Sequence, residues 1–268
     1  MSEALTFTGE RLHGENALFG VDLVRHRAAY AYAISQARSH GAERVLEVGS
    51  GTGYGTAELA EAGLDVFAVD RVSPDRDARH PRVGFVRADA GSIPLADDAF
   101  DLVVSFQVIE HLEDPTRYAA SIARMTKPGG FALITTPNLA QSDRENPFHV
   151  REYMADELAD LLGAHFEEVE MLGVSATPEP MAYYDERLER IRRIVRIDPL
   201  GLRRRLPRGL IDRLFAMFAV VVRRGIAEGS GLPEVTLDDF PIVPADDRVL
   251  DLLAVCRRPR HGGGASPA

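Results

Sequence analysis

The residues whose types and spacing could do chemistry begin in VLEVGSGTGYGTAELA, residues 45–60. Gly49, Gly51, Gly53 and Gly55 alternate there with Ser50, Thr52 and Tyr54. A loop of this kind lets the backbone lie close against a ligand, because glycine lacks a Cβ and reaches positive φ. The spacing is G-x-G-x-G, so the third small position of the dinucleotide fingerprint G-x-G-x-x-G/A falls on Tyr54. Glu47 stands two residues before the first glycine. A carboxylate there is costly unless it meets a cation or donors, which an amino-acid ammonium supplies and a pyrophosphate does not. Tyr54 and Glu47 thus disfavour a nicotinamide oxidoreductase. The ligand-free alternative is a glycine-rich turn with a solvated glutamate.

More such residues follow downstream. Asp70, with Arg71 beside it, ends the next apolar run, where an acid grips ribose hydroxyls or is merely solvated. Asp89, followed by Ala90, can accept from an adenine amino group or cap a helix. FDLVVSFQVIEHLEDP, residues 100–115, places Phe106 and Gln107 at the carboxyl end of a strand, where ligands of such sheets bind. Glu110 and His111 come on the next turn; His149 and Arg151 lie in NPFHVREYM. A neutral imidazole is available as a base near pH 7.

Positioning these groups takes strands alternating with helices. The strands expected are 45–48, 66–69, 83–86, 102–106, 131–135, 166–174 and 249–256. The helices expected are one from Val21, then 56–62, 75–79, 115–125 and 156–162. Pro128-Gly129-Gly130 reads as a turn into the fifth strand. This alternation implies an α/β fold with a parallel sheet and right-handed crossovers. The domains expected are a helical lid over 1–40, a core over 41–177, an arginine-rich helical insertion over 178–235, a closing strand in 236–258, and a disordered tail, 259–268.

Composition excludes other classes. The net charge of −10 argues against a nucleic-acid partner. Cys256 is the sole cysteine, so there is no disulfide framework. The N-terminus shows no signal-peptide pattern and no run matches a membrane span, so a cytoplasmic protein is expected. Between Arg187 and Arg224, twelve arginines face three acids. There Tyr184, Leu188, Ile191 and Val195 share one helical face, with Arg187, Arg190 and Arg193 expected elsewhere around it. Two readings stand: a lid or homodimer contact, or an interfacial element touching anionic lipid or a lipid-linked acceptor.

The block 45–60 resembles motif I of class I S-adenosylmethionine (SAM) methyltransferases, and 100–115 with KPGGFALITTPN, residues 127–138, resembles the ubiquinone-biosynthesis group among them. FTGERL and NPFHVREYMADEL look like bacterial methyltransferases near glycan and polysaccharide biosynthesis. LDDFPIVPADDRVLDLLAV is similar to a mycobacterial methyltransferase assigned to methylglucose lipopolysaccharide, from which 178–232 departs. The resemblance implies a seven-stranded Rossmann-like doubly wound sheet, last strand antiparallel, and SAM as cofactor. Its binding set would be Glu47 at the methionine end, Gly49, Ser50, Gly51, Gly53, Tyr54, Asp70, Arg71, Asp89, Ala90, Phe106 and Gln107.

The activity implied is methylation of a saccharide or glycolipid hydroxyl. His149 or His111 would act as base, or both would only position, and Glu110 and Arg151 would contact the acceptor. Arg151 could instead pair with Glu152. Glu10, Arg11, His26 and Arg27 are expected to fold over the cofactor or to be solvated. Asp238, Asp239, Asp246 and Asp247 are read as loop solvation rather than a Mg²⁺ site. Rival readings are a methyltransferase of a quinone or another small molecule, and a SAM-binding partner subunit without an acceptor site. A nucleic-acid methyltransferase is disfavoured, because SFQVIEH stands where an NPPY-type motif would.

Overall fold

Helix α1 (Gly20–His40) carries Ala29, Ala33 and Ala37 at i, i+4 spacing, and all three are buried. It stops where Gly41 turns left-handed at φ 65° and donates its N–H back to the carbonyls of Ala37 and Arg38. The chain then alternates as β1 (Arg44–Val48), α2 (Tyr54–Glu61), β2 (Asp65–Asp70), β3 (Gly84–Arg87), β4 (Phe100–Phe106), α3 (Pro115–Met125) and β5 (Thr126–Pro137). After these come α4 (Ala155–Gly163), β6 (Phe166–Val174), α5 (Pro178–Val195), β7 (Ile242–Pro244) and β8 (Asp251–Pro259). This computed structural model describes residues 17–74, 80–142, 144, 146, 148–195, 220–229 and 231–260. The expected helix at 75–79, Glu10 and Arg11, residues 196–219 of the arginine-rich segment and residues 261–268 lie outside them.

The strands form one sheet in the order β3-β2-β1-β4-β5-β8-β6-β7. β3, β2, β1, β4 and β5 run parallel, and β8 is antiparallel to both β5 and β6. The seven-stranded expectation is corrected to eight, because Ile242–Pro244 adds a short antiparallel strand beside β6. Pro128-Gly129-Gly130, expected as a turn into the fifth strand, is unpaired with β4. It lies within β5 as a bulge, since Phe100 pairs with Thr126 but Leu102 with Phe131.

Both faces of the sheet are covered, so β1 and β4 read as nearly continuous apolar runs rather than alternating ones. Leu46, Val48 and Val103 pack with Tyr118, Ile122, Leu158 and Leu162 of α3 and α4. On the opposite face Val45, Leu102 and Val104 pack with α1 and with Leu59 of α2. α3 begins firmly, with Pro115 in its first turn and the Asp114 side chain accepting from the Arg117 N–H.

α5 and residues 220–229 form a third apolar cluster against α1. Met181, Tyr183, Tyr184, Val222 and Ile226 meet Val21 and Ala28. Arg187, expected off the apolar face of α5, turns toward α1: its guanidinium is 2.8 Å from buried Asp22. No helix of the described residues is long and apolar enough to cross a membrane.

Candidate active site

Strand order reverses between β1 and β4, which opens a crevice at their carboxyl ends. The loop from β1 to α2 lies there, with Gly49, Gly51 and Gly53 at φ 86°, 53° and 89°, a region other residues rarely adopt. A Cβ on Gly49 would also lie 2.2 Å from Val108 Cγ2, so the loop after β4 packs directly on the glycine loop. Asp70 Oδ2 accepts from the Gly51 N–H at 2.8 Å, and its Oδ1 accepts from Val72 N–H at 2.9 Å. The acid therefore ties the end of β2 to the glycine loop.

Glu47 is 1% exposed, and both its oxygens are met by hydroxyls, Tyr30 at 2.6 Å and Thr56. Burial pushes its carboxyl above the ordinary range, and those two hydroxyls pull back only in part. The Tyr30 ring stacks edge-on to Phe106 at 4.9 Å and to Tyr54 at 5.6 Å. It also closes over Gly55, where any Cβ would collide with the ring at 2.0 Å. Ser50 Oγ is buried without a hydrogen-bond partner. A buried carboxylate, an orphaned hydroxyl and a glycine cradle fit the amino-acid end of SAM.

Asp89 is exposed and accepts from the Gly91 N–H at 2.9 Å, next to buried Ala90. Arg71 is exposed, and its carbonyl accepts from Arg87 Nε at 2.7 Å. Gln107 holds φ 58°, uncommon for a non-glycine residue and frequent at functional sites. Its side chain interacts with Asp251 of β8, a residue the sequence reading did not select. His26 lies 3.5 Å from the Tyr54 hydroxyl, and burial with the neighbouring Arg25 pushes its imidazole down to about 3. Arg27 pairs with Glu58. Both residues thus meet α2, His26 at Tyr54 and Arg27 at Glu58.

Glu110 and His111 follow β4 on one turn of 3₁₀ helix (Ile109–His111). The backbone N–H groups of Val150 and Arg151 donate to the Glu110 carbonyl, which draws the loop after β5 against this turn. His111 and His149 thereby stack 5.2 Å apart. His149 Nδ1 is 2.6 Å from Glu152 Oε1, and its Nε2 is 2.8 Å from Asn146 Nδ2. Burial raises the Glu152 carboxyl, but hydrogen bonds from His149 and Ser142 outweigh it and hold the group below its usual range. Of the two readings of Arg151, pairing with Glu152 is not the one formed. Arg151 reaches Glu157 at 3.3 Å and lies over the Tyr153 ring, while Glu152 serves His149. Glu110, expected to touch the acceptor, is 1% exposed with one oxygen accepting from Thr136 Oγ1 at 3.1 Å.

Asp239 and Asp246 behave as turn residues: the Thr236 N–H donates to Asp239, and the Arg248 and Val249 N–H groups donate to Asp246. The contacts missed in the sequence were those at long separation, Tyr30 with Glu47 and Gln107 with Asp251. Glu152 was in reach, three residues past His149 in HVRE.

A parallel sheet reversing beside a glycine loop, with acids on β1 and at the end of β2, defines a Rossmann-like fold with its ligand crevice at the switch point. A family described as a methyltransferase domain matches residues 46–134. A "probable S-adenosylmethionine-dependent methyltransferase" of Mycolicibacterium smegmatis is 37% identical over 188 residues, 65% of this chain and 70% of that one. A probable S-adenosylmethionine-dependent methyltransferase of Mycobacterium tuberculosis is 38% identical over 184 residues, and the match spans 65% of this chain and 66% of that relative's length. A demethylmenaquinone methyltransferase of Renibacterium salmoninarum is 37% identical over 95 residues, 34% of this chain and 40% of its own. Among solved structures, a SAM-dependent methyltransferase from Thermotoga maritima shares the fold at TM-score 0.54 and 18% identity, over 90% of this chain and 92% of that one. The chain belongs to the SAM-dependent methyltransferases, and SAM is its cofactor.

Proposed function

We propose that the protein methylates a hydroxyl of a saccharide or glycolipid, with His149 as general base. The observation that carries this reading is the His149–Glu152 pair at 2.6 Å, set beside Glu110 and His111 at the mouth of the crevice. Bound SAM supplies a methyl carbon made electrophilic by its sulfonium. Glu47 and the glycine loop would hold the amino-acid end of the cofactor, and Asp70 the ribose. The chain must deprotonate a weakly acidic nucleophile as that methyl carbon is attacked, a task typically worth about 10²- to 10⁴-fold. Asn146 Oδ1 accepts from the Phe148 N–H at 3.1 Å, so its Nδ2 faces His149 Nε2 and donates. His149 is thus neutral, with its proton on Nδ1 toward Glu152 and its lone pair on Nε2. An acceptor hydroxyl taking the place of the Asn146 amide would pass its proton to that lone pair, and Glu152 would stabilise the resulting imidazolium.

The net charge of −10 favours a small-molecule or glycan acceptor over nucleic acid. The second reading, a quinol acceptor, is favoured by the demethylmenaquinone methyltransferase relative and by Val150, 57% exposed beside His149. The test is transfer of labelled methyl from SAM to a panel of saccharides, glycolipids and quinols. Product from a saccharide or glycolipid is expected, with His149→Gln lowering kcat about 10²-fold or more while S-adenosylhomocysteine affinity is kept. Turnover of quinols alone would transfer the assignment to the second reading. SAM binding with no turnover, together with tight binding of another protein, would make the chain a partner subunit.

A further inference from the structure

We infer that Glu110, His111 and His149 form a binding site for a divalent transition-metal ion of the Zn²⁺ or Co²⁺ type. One ligand atom from each of the three residues lies within 4.8 Å of the other two. Two imidazoles and a carboxylate are the donor set such ions take, leaving a position open for a further ligand.

The hydrogen bonds orient these donors. His111 Nδ1 is 3.0 Å from the carbonyl oxygen of Phe148, an atom that only accepts, so Nδ1 carries the proton and Nε2 the lone pair. His149 reaches the same tautomer through Glu152. An imidazole whose Nδ1–H is held by a carbonyl or a carboxylate is the arrangement found behind metal-bound histidines. Glu110 gives the independent sign of a missing ligand. It is 1% exposed, Thr136 occupies only one of its oxygens, and Oε1 is buried without a partner. An unmatched buried carboxylate oxygen is costly, and a cation relieves that cost directly. The charges of Glu110 and Glu152 together match a divalent ion.

Tetrahedral ligand atoms on Zn²⁺ stand about 3.3 Å apart, from bonds of about 2.0–2.1 Å. Binding therefore closes the trio by up to about 1.5 Å by side-chain rotation, and the ion replaces Asn146 Nδ2 at His149 Nε2.

One consequence rests on the base reading above. The Nε2 lone pair of His149 cannot hold a cation and receive a proton at once, so methyl transfer falls as the site fills.

The test is calorimetric titration of the full chain with Zn²⁺ alone, and visible absorption with Co²⁺ alone. One ion per chain is expected with Kd in the micromolar range, together with d–d bands of nitrogen and oxygen ligation. Glu110→Gln and His111→Ala should each weaken binding by about ten-fold or more, with thermal unfolding in the absence of metal reporting that each variant folds. Absence of binding to the wild type, or affinity unchanged in both folded variants, overturns the site. If the ion binds as described but methyl transfer rises with occupancy, the site stands and the base assignment of His149 falls.

Discussion

Glu47 shows at the scale of one residue how binding and stability pull apart. Its two oxygens are matched by the hydroxyls of Tyr30 and Thr56, yet no positive group is among its hydrogen-bond partners, and burial raises its carboxyl. The unfolded value lies near 4.5 and the folded one above it. The stabilisation from holding this group protonated is thus full below the unfolded value and is lost as pH rises through the folded value. Glu47→Gln should accordingly be more stable than the wild type at pH 8, by about 1 kcal/mol, with the gap closing toward pH 4. The same variant should bind S-adenosylhomocysteine more weakly. Thermal unfolding across that pH range and calorimetry check the two halves; a variant less stable at pH 8 would contradict the burial argument. Glu47 was legible because a lone acid in an apolar run before glycines demands a reason. Tyr30 was not, because only the folded packing of α1 over α2 brings its ring to Gly55.

Between elements, the decisive contact is the clamp of α5 and the helical segment 220–229 onto α1. Asp22 is 3% exposed and accepts from Arg187 at 2.8 Å and Arg223 at 2.8 Å, with Arg25 3.9 Å away. Burial alone would raise its carboxyl, but Arg187, Arg223 and Arg25 together hold it well below the usual range. The group is lowered on folding, so its contribution is present above the unfolded value and is lost only as pH falls through the folded one. Asp22→Asn leaves three guanidiniums around an uncharged amide and should cost about 3–5 kcal/mol, read as a drop in the denaturant midpoint. A loss under 1 kcal/mol would mean that apolar packing alone holds α5 in place. The sequence made α5 legible as an amphipathic helix and put Arg187 off its apolar face, with no sign of a buried partner. A helical wheel cannot show that the partner helix carries a buried acid, so a charge that faces inward reads as one that faces water.

For the whole molecule, the parallel direction of β1, β2, β4 and β5 was readable, because each is an apolar run in a chain where strands alternate with helical stretches. The eighth strand was not. Ile242–Pro244 has three residues, bounded by Pro241 and Pro244, with no alternation to read, and only the edge of β6 makes it a strand. By contrast β8 is the hub of its half of the sheet: it pairs over Phe131–Pro137 on one side and Phe166–Val174 on the other. Its six residues from Asp251 to Cys256 are all buried. Amide hydrogen exchange should therefore place Leu252–Val255 among the slowest sites, opening only with global unfolding. Fast exchange there would mean that β6 and β7 form a separately opening unit.

The central place of β8 sets an order for biosynthesis. A ribosome completes β1 to β7 before residues 251–259 emerge, and until then β5 and β6 each present a row of unanswered backbone groups. A stalled or clipped chain ending before Asp251 would offer two bare strand edges to any neighbour, as exposed edges template pairing between chains. The interval between the synthesis of Val174 and that of Asp251 is therefore the one in which the sheet cannot close and both edges stand open.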